Sequence, residues 1–296
     1  MNAAMSEAMS EDWLARQLEE FAASPARLRQ SARDHAQDPV GNFALFQAVR
    51  AQVQALGVPV EDRRLDAAEL VRWMADWPEL TEFYRPYGGF MAEKCLEHFI
   101  TTREAAPKPG DVLVDVAAAG SPYAGALERR GVAAYRLDLS YPPGVSGRRI
   151  GADATATGLP EAFADALTLH CAYECFMGDA DTGLLAEAAR ILKPGGRLVI
   201  APLYLEDGFI NITSPRCDQS LVAIDPGAER VWRDDPWEEP FARHYSAAAF
   251  VERVWSRLPA CLSGQVLFFP DIPALMRTNP GQLIYCLFAL RCVKAG

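Results

Sequence analysis

The stretch DVLVDVAAAGSPYAGALERRGVAAYRLDLS, residues 111–140, sets the tightest limit on what this chain can become. DVLVDVA is a short apolar run of the kind that a strand buried on both faces needs. Small residues follow, then AGALERRG as a helix, then VAAYRLDLS as a second strand ending in an acid. This pattern predicts two parallel strands joined by a helix. In such sheets a ligand lies beyond the carboxyl ends of the strands, where the first strand turns into its helix. That turn must let a ligand approach the backbone, so its residues must be small. Ala117, Ala118, Ala119, Gly120 and Ser121 meet the size requirement, and only Gly120 brings a free choice of backbone angles. Alanine is tolerated there where the backbone angles are negative and is costly where they are not. Asp138 closes the second strand, where an acid accepts hydrogen bonds from both hydroxyls of a ribose.

The flanking sequence extends the pattern. Residues 1–105 read as a helical N-terminal region, with apolar positions at three- and four-residue spacing in EDWLARQLEEFAASPARLRQSARD, NFALFQAVRAQVQALG, DAAELVRWMADWPELTEFYRPYGG and FMAEKCLEHFITTRE. From residue 106 to 296 strands and helices alternate. ADALTLHCA reads as a strand, GLLAEAARILKPGG as a helix stopped by its proline and glycines, and RLVIAPLYL as the next strand. Residues 206–245, rich in Pro, Asp, Trp and Arg, are too long for a simple connection and read as a lid-like insertion. AAAFVERVWSRLP is a further helix, and GQVLFFP and GQLIYCLFALRCVK supply two strands expected to pair antiparallel. The expected fold is α/β, a Rossmann-like, doubly wound, mostly parallel seven-stranded sheet with a helical N-terminal region.

At 296 residues and 50% hydrophobic, the chain can bury one large core or two modest ones. A net charge of −10 argues against a surface built to bind phosphate backbones, so no nucleic-acid partner is expected. The opening MNAAMSEAMSEDWLARQLEEF is acidic and amphipathic, without the apolar core of a signal peptide. The longest apolar runs, such as LIYCLFAL at 283–290, are too short to span a bilayer. A cytoplasmic protein with no membrane span is expected, and its oligomeric state is left open. Seven scattered cysteines fit reduced thiols better than a disulfide framework. In HCAYECFMG an iron–sulfur motif would need a third cysteine where Gly178 stands, so Cys171 and Cys175 read as core or pocket-wall residues.

IGADATATGLPEAFADALTLHCAYECFMGDADTGLLAEAARILKPGGRLVIAPLY, with the opening stretch, resembles class I S-adenosylmethionine-dependent methyltransferases of the type 11 kind. Asp115 matches the acid of that family's first motif, Asp138 its ribose acid, and Asp153 with Ala154 its adenine-side turn. Asp165 matches the acid of its fourth strand, and Lys193 to Gly196 the turn before its fifth. The likeness covers about 110–204 and leaves the helical N-terminal region outside. It implies S-adenosyl-L-methionine as cofactor, held by Asp115, Ala117, Ala119, Gly120, Ser121, Asp138, Leu139, Asp153, Ala154 and His170. The chain departs from the family at the glycine positions, where Ala117, Ala119 and Ser121 stand.

If the acceptor is a hydroxyl, a general base is needed. His170 and Glu174, at the carboxyl end of the fourth strand, are the first catalytic candidates, and Tyr173 is placed to meet the sulfonium with its ring face. His244, with Tyr245, is the second candidate, although RHYS also reads as a helix N-cap with Ser246 as the cap. FYRPYGGF (83–90) reads as a helix–helix turn whose aromatics could also cover the cofactor's methionine end. His35 and His98 read as residues on helix surfaces. The acids of GDAD (178–181) suit a helix N-terminus, so no metal site is expected. The resemblance points to O-methylation of a small-molecule or oligosaccharide acceptor, a sugar or glycoside hydroxyl first and a secondary metabolite second. Two rivals stand beside it: a nicotinamide-dependent oxidoreductase, for which AAAGSPY is poor in glycine, and a catalytically silent scaffold.

Overall fold

The computed structural model describes residues 11–235 and 238–296. The first ten residues of the expected helical region, and Pro236 and Trp237 of the expected insertion, lie outside the described residues. The N-terminal region folds as α1 (Glu11–Ala23), α2 (Gln30–Arg33), α3 (Phe43–Ala55), α4 (Ala67–Asp76), α5 (Pro78–Tyr84) and α6 (Met91–Ala105), with short 3-10 turns before α2, α3 and α6. α3 buries Phe46, Val49 and Val53, the apolar stripe that its spacing predicts. Asp66 caps α4 by accepting from the amides of Ala68 at 2.7 Å and Glu69 at 3.1 Å. One stretch of this region is not helical: β1 (Val60–Asp62) joins the main sheet.

The alternating part begins with β2 (Val112–Val116), α7 (Tyr123–Glu128) and β3 (Ala133–Leu137). A hairpin of β4 (Gly144–Ser146) and β5 (Arg149–Gly151) follows, then β6 (Ala164–His170), α8 (Ala180–Ile191) and β7 (Leu192–Ala201). Four strands come next, β8 (Leu205–Glu206), β9 (Ile210–Thr213), β10 (Glu229–Trp232) and β11 (Ala242–Ser246). The chain ends with α9 (Ala247–Arg253), β12 (Leu262–Phe268), α10 (Ile272–Thr278) and β13 (Phe288–Lys294). Among the described residues the main sheet runs β1-β12-β13-β7-β6-β2-β3-β5-β4. β5, β3, β2, β6 and β7 are parallel, and β13 pairs antiparallel with both β7 and β12.

The fold is the α/β, Rossmann-like, mostly parallel one expected, but its sheet has nine strands, not seven. The two additional strands, β1 and β4, are edge strands of three residues each, too short to show alternation in a sequence. KPGG also sits inside β7, where the pairing with β6 slips between Ala164 and Ala166, and does not follow the helix as a separate turn. β13 begins at Phe288, well after Gly281. Neighbouring residues of β2 enter different cores: Leu113 packs with Trp77, Tyr84, Tyr123 and Leu127, Val114 and Val116 with Leu137, Leu167, Leu169 and Ile200. This is why the run reads as continuously apolar.

β10-β9-β11-β8 form a second, four-stranded sheet from most of the stretch 206–245. It is tied to the main domain through Arg243, which is completely buried. The guanidinium donates to Asp225 at 2.6 and 2.8 Å, to the carbonyl of Phe176 at 2.6 Å and to that of Gly178 at 2.9 Å. Asp181 lies 3.0 Å from it. A buried charge so fully partnered leaves uncompensated carboxylates if it is removed. Arg243→Ala is expected to lower unfolding stability by about 3 kcal/mol, measured by urea denaturation. A loss below about 1 kcal/mol, the scale of a surface pair, would contradict this view of the junction.

Candidate active site

β2 lies between β3 and β6, and the chain leaves β2 toward β3 but leaves β6 toward β7, in opposite directions across the sheet. Such a switch point leaves a crevice for a ligand. Here the turn adopts the costly option for alanine. Ala117 has φ 53° and Ala119 φ 38°, both left-handed, whereas Gly120 does not need its freedom. A left-handed L-residue costs roughly 1–2 kcal/mol. The turn is held by Asp138, whose Oδ2 accepts from the amide of Ala119 and Oδ1 from that of Ser140, each at 2.8 Å. The hydroxyl of Tyr141 donates to the carbonyl of Ala119. Cys171, at the end of β6 across the crevice, is also left-handed at φ 45°. Strained residues gather at sites where the surrounding structure enforces them.

Between them lies a cavity of about 260 Å³. Asp115, residues 116–121, His170 and Cys171 line it from the strand ends, and Phe83, Tyr84, Tyr87, Lys94, Glu97 and His98 from the N-terminal region. The ring of His170 is held at both nitrogens, Nδ1 at 3.1 Å from Asp115 Oδ1 and Nε2 at 2.6 Å from Thr101 Oγ1. Asp115 Oδ2 is buried without a partner. On α6, Lys94 donates to Glu97 at 2.9 Å, and His98 Nε2 lies 2.9 Å from the hydroxyl of Tyr84.

Burial dominates the electrostatics. It pushes the Glu93 carboxyl up to about 8, with Glu97 adding to the effect. Burial also raises Glu97, against the pull of Lys94. It holds His98 well below the usual imidazole range, helped by His170 and Lys94, so this ring is neutral. Burial opposes the Lys94 charge as well, but Glu97, to which it donates, favours that charge, and the ammonium titrates above its usual range. The Cys171 thiol is pushed up to about 12 by burial and stays protonated.

Of the residues singled out from the sequence, the cavity brings together Asp115, Ala117, Ala119, Gly120, Ser121 and His170. Asp138 joins through its bond to Ala119. Leu139, Asp153 and Ala154 are not in the lining; they follow the carboxyl ends of β3 and β5, on the same edge of the sheet. Leu139 is 76% exposed, Ala154 is buried, and Asp153 Oδ1 accepts from the amide and hydroxyl of Thr155, both at 2.8 Å. Glu174 is buried behind Cys171, which donates to it at 3.6 Å, and does not line the cavity. His244 does not line it either; its ring stacks on Tyr204 with centroids 4.4 Å apart.

Other expectations need correction. Tyr173 is buried and donates to the carbonyl of Asp181 at 3.2 Å, away from the cavity. Tyr245 donates to Asp181 Oδ2 at 2.7 Å, while Ser246 does cap α9, accepting from the amide of Ala249. Cys175 is exposed and not a core residue. His98 is not on a surface but stacked between Tyr84 and Tyr123. FYRPYGGF does form a turn between α5 and α6, and Phe83, Tyr84 and Tyr87 wall the cavity. The sequence reading gave no role to Lys94, Glu97, His98 or Thr101. Their signal was a spacing of three and four residues, which puts them on one face of α6.

Residues 114–200 match a family model described as a methyltransferase domain. The chain carries an S-adenosylmethionine-dependent methyltransferase domain. The match runs from β2 into β7 and includes the left-handed turn, and the cofactor of the domain is S-adenosyl-L-methionine. No curated protein sequence matches the chain. Among solved structures, it is similar to the Burkholderia thailandensis 1,6-didemethyltoxoflavin-N1-methyltransferase, at 12% identity and TM-score 0.45 over 80% of this chain and 94% of that one. It is similar also to geranyl diphosphate C-methyltransferase from Streptomyces coelicolor, at 15% identity and TM-score 0.41 over 69% and 79%. The YcgJ protein of Bacillus subtilis is a third, at 15% identity and TM-score 0.41 over 68% and 99%. Among the described residues no helix of the methyltransferase is long and apolar enough to cross a membrane.

If the turn is strained as its angles imply, glycine relieves it. Glycine gives back part of the gain by freeing the unfolded chain, so Ala117→Gly and Ala119→Gly are each expected to stabilise the protein by about 0.5–1 kcal/mol. Denaturant unfolding reads this directly. A loss of stability in both variants would mean that the alanine methyl groups contribute packing that outweighs the backbone.

Proposed function

We propose that this methyltransferase places the methionine end of its cofactor in the cavity after β2 and methylates an oxygen of a small polar acceptor, a sugar or glycoside hydroxyl first. The observation that carries the cofactor placement is the unpartnered Asp115 Oδ2 beside a left-handed turn. A buried carboxylate oxygen without a donor is costly, and the α-ammonium group of a methionine moiety supplies one. Gly120 leaves open space where a Cβ would stand. Asp138, at the end of β3, would accept from the ribose hydroxyls, and the exposed Leu139 with the Asp153–Ala154 turn would flank the adenine. His170, held at both nitrogens, positions Asp115 and the cavity wall. The bound sulfonium supplies an already activated methyl group.

The protein's own tasks are then to align the acceptor, exclude water and take up a proton. Lys94, Glu97 and His98 present donors and acceptors to the cavity, a set suited to a polyhydroxylated molecule. Glu97 is the lining group whose burial raises its carboxyl toward the working pH, which makes it the base that the geometry favours over Glu174 and His244. A second reading, a planar secondary metabolite, draws on the aromatic rim of Phe83 and Tyr87. A silent scaffold has no use for two left-handed alanines at a switch point.

Incubation with methyl-labelled cofactor and panels of glycosides and phenolic metabolites tests the acceptor class. Label on a glycoside oxygen supports the first reading, label on a phenol the second, and label on nitrogen or carbon contradicts O-methylation. Asp138→Ala is expected to weaken cofactor binding at least tenfold, about 1.4 kcal/mol. Unchanged affinity would remove Asp138 from the site.

A further inference from the structure

A second buried polar cluster lies away from the cavity, where the N-terminal region meets the small sheet. Asp34, Glu206 and His244 each contribute one ligand-type atom, and these atoms all lie within 4.8 Å of one another. His244 Nδ1 is 4.0 Å from Asp34 Oδ1 and 3.8 Å from Glu206 Oε1. These separations are too long for hydrogen bonds. They suit atoms that share one ion, since two donors each about 2.0–2.2 Å from a metal stand roughly 3–4.4 Å apart.

Neither His244 Nδ1 nor Asp34 Oδ1 has a hydrogen-bond partner in the protein, although their side chains are only 4% and 9% exposed. Two buried, unpartnered polar atoms facing each other demand an explanation. A cation satisfies both, together with Glu206.

The fold orients the three ligands. Ser246 of β11 pairs with Glu206 of β8, so His244, two residues earlier in β11, stands on the same face as Glu206. Asp34 arrives from the end of α2. Each ligand is fixed from behind. Gln30 donates to Asp34 Oδ2 at 3.0 Å. His35 binds Glu206 through its amide at 3.1 Å and its Nδ1 at 2.8 Å. Tyr204 stacks on the His244 ring at an interplanar angle of 8°. Supporting contacts of this kind are what metal ligands require.

We propose that Asp34, Glu206 and His244 bind a divalent first-row metal ion that clips the N-terminal region to the small sheet. One imidazole and two carboxylates, with no thiolate, suit Zn²⁺ or Mn²⁺. The ligands come from three separate segments, so no sequence motif announces them. The ion is separate from the methyl-transfer cavity and makes no part of that chemistry.

The test uses the full chain purified without chelator, with metal content measured by mass spectrometry. Chelator-treated protein is then titrated with ZnCl₂ and with MnCl₂ by calorimetry. The expected result is one equivalent of one of these ions per chain, with affinity weakened at least 100-fold in both Asp34→Asn and His244→Asn. Circular dichroism of each variant reports whether it folds. X-ray absorption of the wild-type metal complex needs no variant, and it should show a nitrogen and oxygen shell without sulfur. Three results would overturn the proposal: no binding of either ion at micromolar concentration, binding that survives both substitutions, or a sulfur-containing shell. In the first case the cluster is an imidazolium between two carboxylates and nothing more.

Discussion

The geometry of the cavity depends on how β2 ends. The strand is hydrogen-bonded on both sides, by β3 and β6, and α7 must begin within a few residues. On the way, Ala117 and Ala119 take the left-handed region. The strain is sustained because the turn is clamped from outside: Asp138 takes the amide of Ala119, and Tyr141 reaches its carbonyl. The same clamp ties the residue at the end of β3 to the turn after β2.

Opposite the turn stands α6, a helix with most of its residues buried and a line of polar side chains among them. Desolvation there raises the Glu93 and Glu97 carboxyls, keeps His98 neutral and Cys171 protonated, and Lys94 holds its charge beside Glu97. In a site of low dielectric, interactions of this kind are stronger than in water. The helical region that lies outside the matched methyltransferase stretch therefore builds part of the cavity wall.

How much of this was legible in the sequence varies with the range of the signal. β2, α7 and β3 could be read because their apolar runs and small-residue turn are contiguous. Asp138 could be placed because it ends a strand. β1 and β4 could not, since three residues carry no period. Whether Ala117 and Ala119 were tolerated at negative φ or strained at positive φ was undecidable from residue type, and the structure gives the strained answer. His98 looked like a surface residue because nothing local reveals that Tyr84 and Tyr123 cover it. Asp34, Glu206 and His244 meet only through the pairing of β8 with β11 and the path of the N-terminal region.

The central claim is that a glycine-poor, left-handed turn is a working cofactor site. Calorimetric titration of the purified protein with S-adenosylmethionine and S-adenosylhomocysteine, with NADH as control, tests it most directly. The account predicts micromolar binding of the first two at one site per chain and none of the third. Absence of binding to either sulfur compound would mean that Ala117, Ala119 and Ser121 have closed the turn to the cofactor.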